Sequence, residues 1–238
     1  MSDRAAAGRP LWVTALLLAL SVLMIVVFVL LGNWQVRRLA WKQELIAAVE
    51  TRAFGPAVAL PEHFDAGRHA YLRVAVDGRW LDREAVLVKA VTELGPGYWV
   101  MSPMQTGGGI LWVNRGFVPA DARDPANWSI AQSPVTGLLR PTAQGGTLLE
   151  RNDPQSGRWV SRDTVALSDS LGLGATLPYF IDADHRGAPA AWPRGGLTIL
   201  RFSNSHLSYA LTWYAMAVLF ALGLAYVLRS SRRKDEAD

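Results

Sequence analysis

Few side chains in this sequence are placed to do chemistry, and His206 heads them. It stands in Asn204-Ser205-His206-Leu207-Ser208-Tyr209, at the start of a long apolar run, where Asn204 is expected to cap a helix. A helix N-terminus disfavours positive charge, which favours the neutral imidazole, the form that ligates haem iron. On a helix, His206, Tyr209, Ala210, Trp213 and Ala217 share one face, giving a ligand, two aromatic walls and small residues against which a flat macrocycle can lie. The same spacing suits an interfacial histidine among ordinary belt aromatics, and position alone leaves both readings open.

The other candidates offer less. Met101 and Met104 form an M-x-x-M pair, but three-residue spacing within a strand puts them on opposite faces, so they are expected to pack rather than bind Cu(I). His63 and His69, near Asp65 and Arg68, and His185, after Asp182 and Asp184, read as loop histidines with no identifiable metal partners. The chain lacks G-x-S-x-G, H-E-x-x-H and G-x-x-x-x-G-K-[ST], and Gly172-Leu173-Gly174 lacks the third glycine of a dinucleotide loop. With no acid, base or nucleophile in a recognisable constellation, the expectation is that the protein is not an enzyme. Zero cysteine removes disulfides, thiolate metal sites and covalent C-x-x-C-H haem attachment.

The elements that must position His206 follow from composition. Only 18% of the 238 residues are charged, against about 25% in an ordinary soluble domain. Two charge-free runs explain the deficit: Leu11–Leu31, of 21 residues, and Leu207–Leu228, of 22. As helices each spans about 30 Å of hydrocarbon. The expected organisation is a cytoplasmic tail (1–10), a first transmembrane helix (11–31), an extracytoplasmic domain (32–206), a second transmembrane helix (207–228) and a second cytoplasmic tail (229–238). Arg4 and Arg9 before the first span, and Arg229, Arg232, Arg233 and Lys234 after the second, place both termini in the cytoplasm. The net charge of +4 is spread along the chain, so no nucleic-acid-sized basic patch is expected.

Residues 33 to about 53 carry Trp34, Val36, Leu39, Trp41, Leu45, Ile46 and Val49 mostly at three-to-four spacing, predicting a juxtamembrane amphipathic helix that ends at Phe54-Gly55-Pro56 and contacts membrane lipid. Strands are expected over Tyr71–Val76, Ala85–Val91, Tyr98–Met104, Ile110–Phe117 and Val135–Leu139, with closing strands over Tyr179–Ile181 and Leu197–Phe202. Gly107-Gly108-Gly109 predicts a hairpin, Asp77-Gly78 a turn, residues 118–133 an irregular excursion, and Asp163–Leu171 a short helix capped by Asp163. The fold class is therefore a membrane protein of α+β type, two transmembrane helices flanking a mostly antiparallel, barrel- or sandwich-like β domain.

Three ordered stretches also carry a resemblance. Gly32-Asn33-Trp34-Gln35-Val36-Arg37-Arg38-Leu39-Ala40-Trp41-Lys42 resembles G-x-W-Q-x-x-R-x-x-W-K of the Surfeit locus protein family, assembly factors for cytochrome c oxidase. Val113-Asn114-Arg115-Gly116-Phe117-Val118-Pro119 matches a second motif of that family, with Phe117 where Trp is frequent, and Asn204 to Trp213 resembles N-x-H-x-x-Y-A-x-T-W. The resemblance singles out Gly32, Trp34, Gln35, Arg38, Trp41, Lys42, Asn114, Arg115, Gly116, Asn204 and Thr212. It implies a bacterial inner-membrane, multi-pass protein with a periplasmic main domain that binds haem a and assists its insertion into subunit I of the oxidase. Haem A synthase is then a possible partner. Carried onto this sequence, the haem iron ligand is His206; the helix face described above then sets Tyr209 and Trp213 against the macrocycle, and the position of His206 at the outer end of the second span puts Arg201, Arg37 and Arg38 within reach of the propionates. A structural scaffold for oxidase subunits that never touches haem is the alternative.

Overall fold

The computed structural model describes residues 11–81, 85–146, 150–200 and 202–235. The chain divides into two units, residues 1–46 with 201–238, and residues 47–200.

The first unit is built on α1 (Leu11–Phe54) and the long helix that begins at His206 and runs to Asp235, here α4. Both are long and apolar enough to cross a membrane, with mean hydropathies of 3.1 and 1.9 over their most apolar windows. Leu30, Leu219 and Leu222 are all exposed, as lipid-facing residues are. The juxtamembrane helix is present, as expected, as a continuation of the apolar segment: α1 runs on unbroken and ends at Phe54, before Gly55-Pro56. Where α1 and α4 meet, Phe28 stacks on Trp213 with ring centroids 5.8 Å apart and meets Phe220 edge-on at 5.3 Å. Ala210 and Ala217 are buried in this seam. Gly32 permits the closest approach, since a Cβ there would sit 2.5 Å from the Tyr214 ring.

The second unit is a seven-stranded mixed sheet. Its strands are β1 (Arg73–Val76), β2 (Arg79–Trp80), β3 (Val86–Thr92), β4 (Gly95–Thr106), β5 (Gly109–Pro119), β6 (Val135–Pro141) and β7 (Thr176–Ala183). The order is β1-β6-β7-β5-β4-β2, with β3 also on β4. Every pairing is antiparallel except β5 with β7. Strand β1 lies at one end of this path and β2 at the other, yet only Asp77 and Gly78 separate them, so the sheet must curl until its edges meet. The result is a half-barrel. Gly78 sits at the closure, where a Cβ would come 2.6 Å from the Gln105 carbonyl. Strand β4 serves two neighbours along one edge, its first half pairing with β3 and Met104 and Gln105 with β2, while its register with β5 on the other edge shifts between Trp99 and Met101.

Alternation divides the core between the two faces of the sheet. Val74, Met104, Leu111, Val113, Leu139 and Ile181 fill one cluster. Met101, Trp112, Phe180 and Leu167 fill the other, covered by a short helix at Thr164–Ser170, here α3. Met101 and Met104 do fall on opposite faces and are fully buried. Asp163 caps α3 as expected, its carboxylate accepting from the Ala166 amide at 3.2 Å. The Gly107–Gly108 hairpin is also present, closed by Thr106 opposite Gly109.

One expectation fails and one element is unforeseen. Strand β2 has no counterpart in the sequence reading. Conversely, Leu197–Leu200 and Phe202 form no strand, and Arg201 lies outside the described residues. The pairing comes earlier in the chain, as a bridge between Phe117 and Arg194 and a Gly196 amide bonded to the Ala183 carbonyl. After it, Thr198 turns its hydroxyl onto Asp182 at 2.9 Å and Ile199 is exposed, so a side-chain bond rather than a backbone ladder holds this segment.

Candidate functional site

In the helix pair, two sequence motifs separated by about 170 residues are each other's partners. The His206 imidazole Nδ1 donates to Gln35 Oε1 at 2.8 Å. About two turns further along α4, the Tyr214 hydroxyl donates to Asn33 Oδ1 at 2.7 Å. Lys42 completes the set, its ammonium donating to the Ser203 carbonyl. Gly32, Asn33, Gln35 and Lys42 of the first motif thus engage Ser203, His206 and Tyr214 around the third.

The chemical consequence concerns the tautomer. A glutamine carbonyl oxygen can only accept, so Nδ1 carries a proton, and in the neutral imidazole the lone pair is then on Nε2. This is the arrangement by which an outer hydrogen bond orients a metal-ligating histidine. Gln35 is itself buried, so its amide is held rather than free to swing, and His206 is half-buried.

One expectation for this region, the Asn204 cap, needs correction. Asn204 does not cap α4: its Oδ1 is buried without a hydrogen-bond partner, and the helix begins with the Tyr209 amide bonded to the Ser205 carbonyl. Trp213, Ala210 and Ala217 share a face with His206, but α1 occupies it, with Phe28 stacked on Trp213, so these residues build the helix seam rather than an open wall. Tyr209 is exposed. Thr212 donates to the Ser208 carbonyl within its own helix at 2.9 Å. Arg37 and Arg38 are exposed, with the Arg38 guanidinium 4.0 Å over the Trp41 ring, and Trp34 is exposed as well. Arg201, named as a propionate partner, lies outside the described residues.

The second motif is structural at its first residue. Asn114 is buried on β5, donating to Asp182 Oδ1 at 2.7 Å and accepting from the Gly116 amide at 3.1 Å. Asp182 on β7 also receives Arg162 at 2.9 Å, Arg140 at 3.0 Å and Thr198, so one buried carboxylate holds two guanidiniums. Burial lowers the Arg162 pKa and the nearby Arg140 lowers it further, against the opposing pull of Asp182. Sequence reasoning missed this cluster, because Arg140 and Arg162 lie 42 and 20 residues from Asp182 in no recognisable spacing. Gly116 takes a left-handed φ of +132°, and a Cβ there would meet the Arg194 backbone at 2.3 Å. Arg115 is displayed on the opposite face of β5 from Asn114.

Of the expected loop histidines, His69 instead ends a four-residue helix, α2 (Ala66–His69). His69 Nδ1 accepts from the Asp65 amide at 2.9 Å, and His185 Nε2 bonds the Ala188 carbonyl at 3.0 Å. Among the described residues no three His, Cys, Asp or Glu side chains cluster to chelate a metal ion.

These features define a class: two helices of membrane-spanning length and apolarity that flank a β half-barrel in the sequence, with one hydrogen-bonded imidazole in the helix pair. The profile of the SURF1 family matches residues 22–218, which include all three motifs. Surfeit locus protein 1 of Rattus norvegicus is 30% identical over 211 residues, covering 78% of this chain and 67% of its own length. That of Homo sapiens is 31% identical over 212 residues (79% and 69%), and a SURF1-like protein of Monosiga brevicollis is 31% identical over 208 residues (79% and 78%). The chain belongs to the SURF1 family, known as assembly factors for cytochrome c oxidase rather than as catalysts.

Proposed function

We propose that this protein is a bacterial inner-membrane assembly factor for haem-copper cytochrome c oxidase that holds haem a on His206 and assists its insertion into subunit I. In this reading both termini are cytoplasmic, the half-barrel is periplasmic, and haem A synthase supplies the cofactor. The observation that carries it is the Gln35–His206 hydrogen bond, which leaves Nε2 as a free ligand at the place where two family motifs meet. The donor set fits haem better than a bare ion. Haem a, when bound, supplies an iron already held by four porphyrin nitrogens, so a single imidazole suffices, whereas a structural zinc needs four protein ligands. Gln35 would fix the tautomer and the ring plane, and Arg37 and Arg38, both exposed, would neutralise propionates.

The scaffold reading draws on one observation, that Ala210, Trp213 and Ala217 are already covered by α1. Co-expression with the haem a biosynthetic enzymes separates the two. The purified full chain is expected to carry haem a absorbance that His206→Ala loses while accumulating normally in the membrane, because one polar residue at a helix end contributes little to insertion. Absence of haem from the wild type, or its retention by the variant, would favour the scaffold.

A further inference from the structure

The half-barrel holds a cavity of about 90 Å³ at the end of the first core cluster where Asp77-Gly78 closes the sheet. Its floor is apolar, from Val113, Val135 and Ala183. Arg115, Asp184 and Arg186 supply its charge, and Ile130 stands at its rim, 87% exposed.

The charges do not balance. Asp184 is paired with Arg73, and Arg186 donates to the Thr136 hydroxyl at 3.3 Å. Arg115 is half-buried and its guanidinium donates to the Ser129 carbonyl, with no carboxylate within ion-pair distance among the described residues. The cavity's one anion is therefore engaged by Arg73 from outside the lining, and its two cations, Arg115 and Arg186, are left without a carboxylate partner among the described residues. Burial pulls the Arg115 pKa down with no opposing anion, the sign of a cation desolvated and uncompensated. Trp80 lines the same cavity, and its buried indole Nε1 makes no hydrogen bond. Buried donors are normally satisfied and buried charges paired, so the Trp80 N–H calls for an acceptor and Arg115 for a counter-ion.

We propose that this cavity is a carboxylate-binding pocket in which Arg115 and Trp80 receive a glutamate or aspartate side chain of a partner polypeptide. Its volume holds several waters' worth of atoms, enough for a carboxylate on a short apolar stem, and is well short of the 300 Å³ or more of pockets that enclose whole ligands. An arginine anchor on an apolar floor, beside an exposed isoleucine, has the anatomy of a protein-binding hot spot. The site involves neither His206 nor haem, so it stands or falls independently of the haem reading.

The test uses the full chain in detergent with tryptophans labelled by 15N at the indole, the Trp80 resonance being the one that Trp80→Phe removes. Three probes are titrated: acetyl-Ala-Glu-Ala-amide, its glutamine counterpart, and propionate. The glutamate peptide is expected to move the Trp80 indole resonance saturably and the glutamine peptide to leave it in place. Arg115→Gln should weaken binding at least about tenfold, as loss of a charge-assisted hydrogen bond does. If Arg115→Gln fails to fold, Arg186→Gln, at an exposed position, should still weaken it measurably at low salt. Equal responses to both peptides, no response to either, or unchanged affinity in both variants would overturn the proposal. Propionate binding as tightly as the glutamate peptide would overturn the polypeptide source and leave a site for small free acids.

Discussion

Replacing Asp182 with alanine is expected to be among the most destabilising single changes in the half-barrel. Its carboxylate is 7% exposed and accepts from Asn114, Arg162, Arg140 and Thr198 between 2.7 and 3.0 Å. The two guanidiniums are themselves only 22% and 20% exposed, so water cannot take over freely when the anion is removed. They would also repel one another, an effect already visible in the downward pull of Arg140 on Arg162. Removing one partner of a buried ion pair costs about 3–5 kcal/mol, and partial exposure of the arginines favours the lower end, about 3 kcal/mol. In a domain of this size that lowers Tm by about 6–12 °C. Thermal unfolding of the full chain, followed by near-ultraviolet circular dichroism of the tryptophans, measures it. Asp182→Asn, which keeps the shape and one acceptor, should fall between wild type and Asp182→Ala. A loss under about 1 kcal/mol for Asp182→Ala would show that the arginines do not depend on this carboxylate.

Gly116→Ala combines a left-handed φ with a Cβ driven into the Arg194 backbone, and should cost about 3 kcal/mol or more in urea unfolding. A cost under about 1 kcal/mol would mean the Arg194 segment can move aside. Asp184 is held above its ordinary 3.8 by desolvation, with Arg73 pulling the other way. The folded state therefore binds a proton at pH values where the unfolded chain has lost it, and the group's contribution to stability is full below pH 3.8 and declines as pH rises through the folded value. Asp184→Asn should remove that decline, seen as a narrowing gap between the unfolding free energies of wild type and variant on acidification. A gap that does not change with pH would contradict it.

What could be read from the sequence was what depends on local pattern. The apolar runs of α1 and α4, the Asp163 cap, the Gly107–Gly108 hairpin and the opposed Met101 and Met104 all follow from spacing within about a dozen residues. What could not be read depends on contacts across the chain. Strand β2 is two residues long and exists because the sheet curls to bring Trp80 beside Met104. Asp182 looked like a loop neighbour of His185, and only the β5–β7 pairing turns it into a buried counter-ion. Asn204 had the right residue type for a cap, but its side chain is turned away from the helix amides. His206 was found from its place at a helix start, and Gln35 from its motif, while their hydrogen bond, across 171 residues, was visible in neither.

That hydrogen bond can be examined directly in the haem-free protein. The chain has four histidines, so a 15N spectrum of the full chain labelled only at histidine is simple enough to assign, with His206→Ala identifying the signal in question. The expected spectrum shows His206 with its proton on Nδ1 and a bare lone pair on Nε2, and Gln35→Leu, which removes the acceptor, abolishing that preference. A proton on Nε2 in the wild type, or a tautomer indifferent to Gln35→Leu, would contradict the assignment of His206 as an oriented ligand held by the first motif.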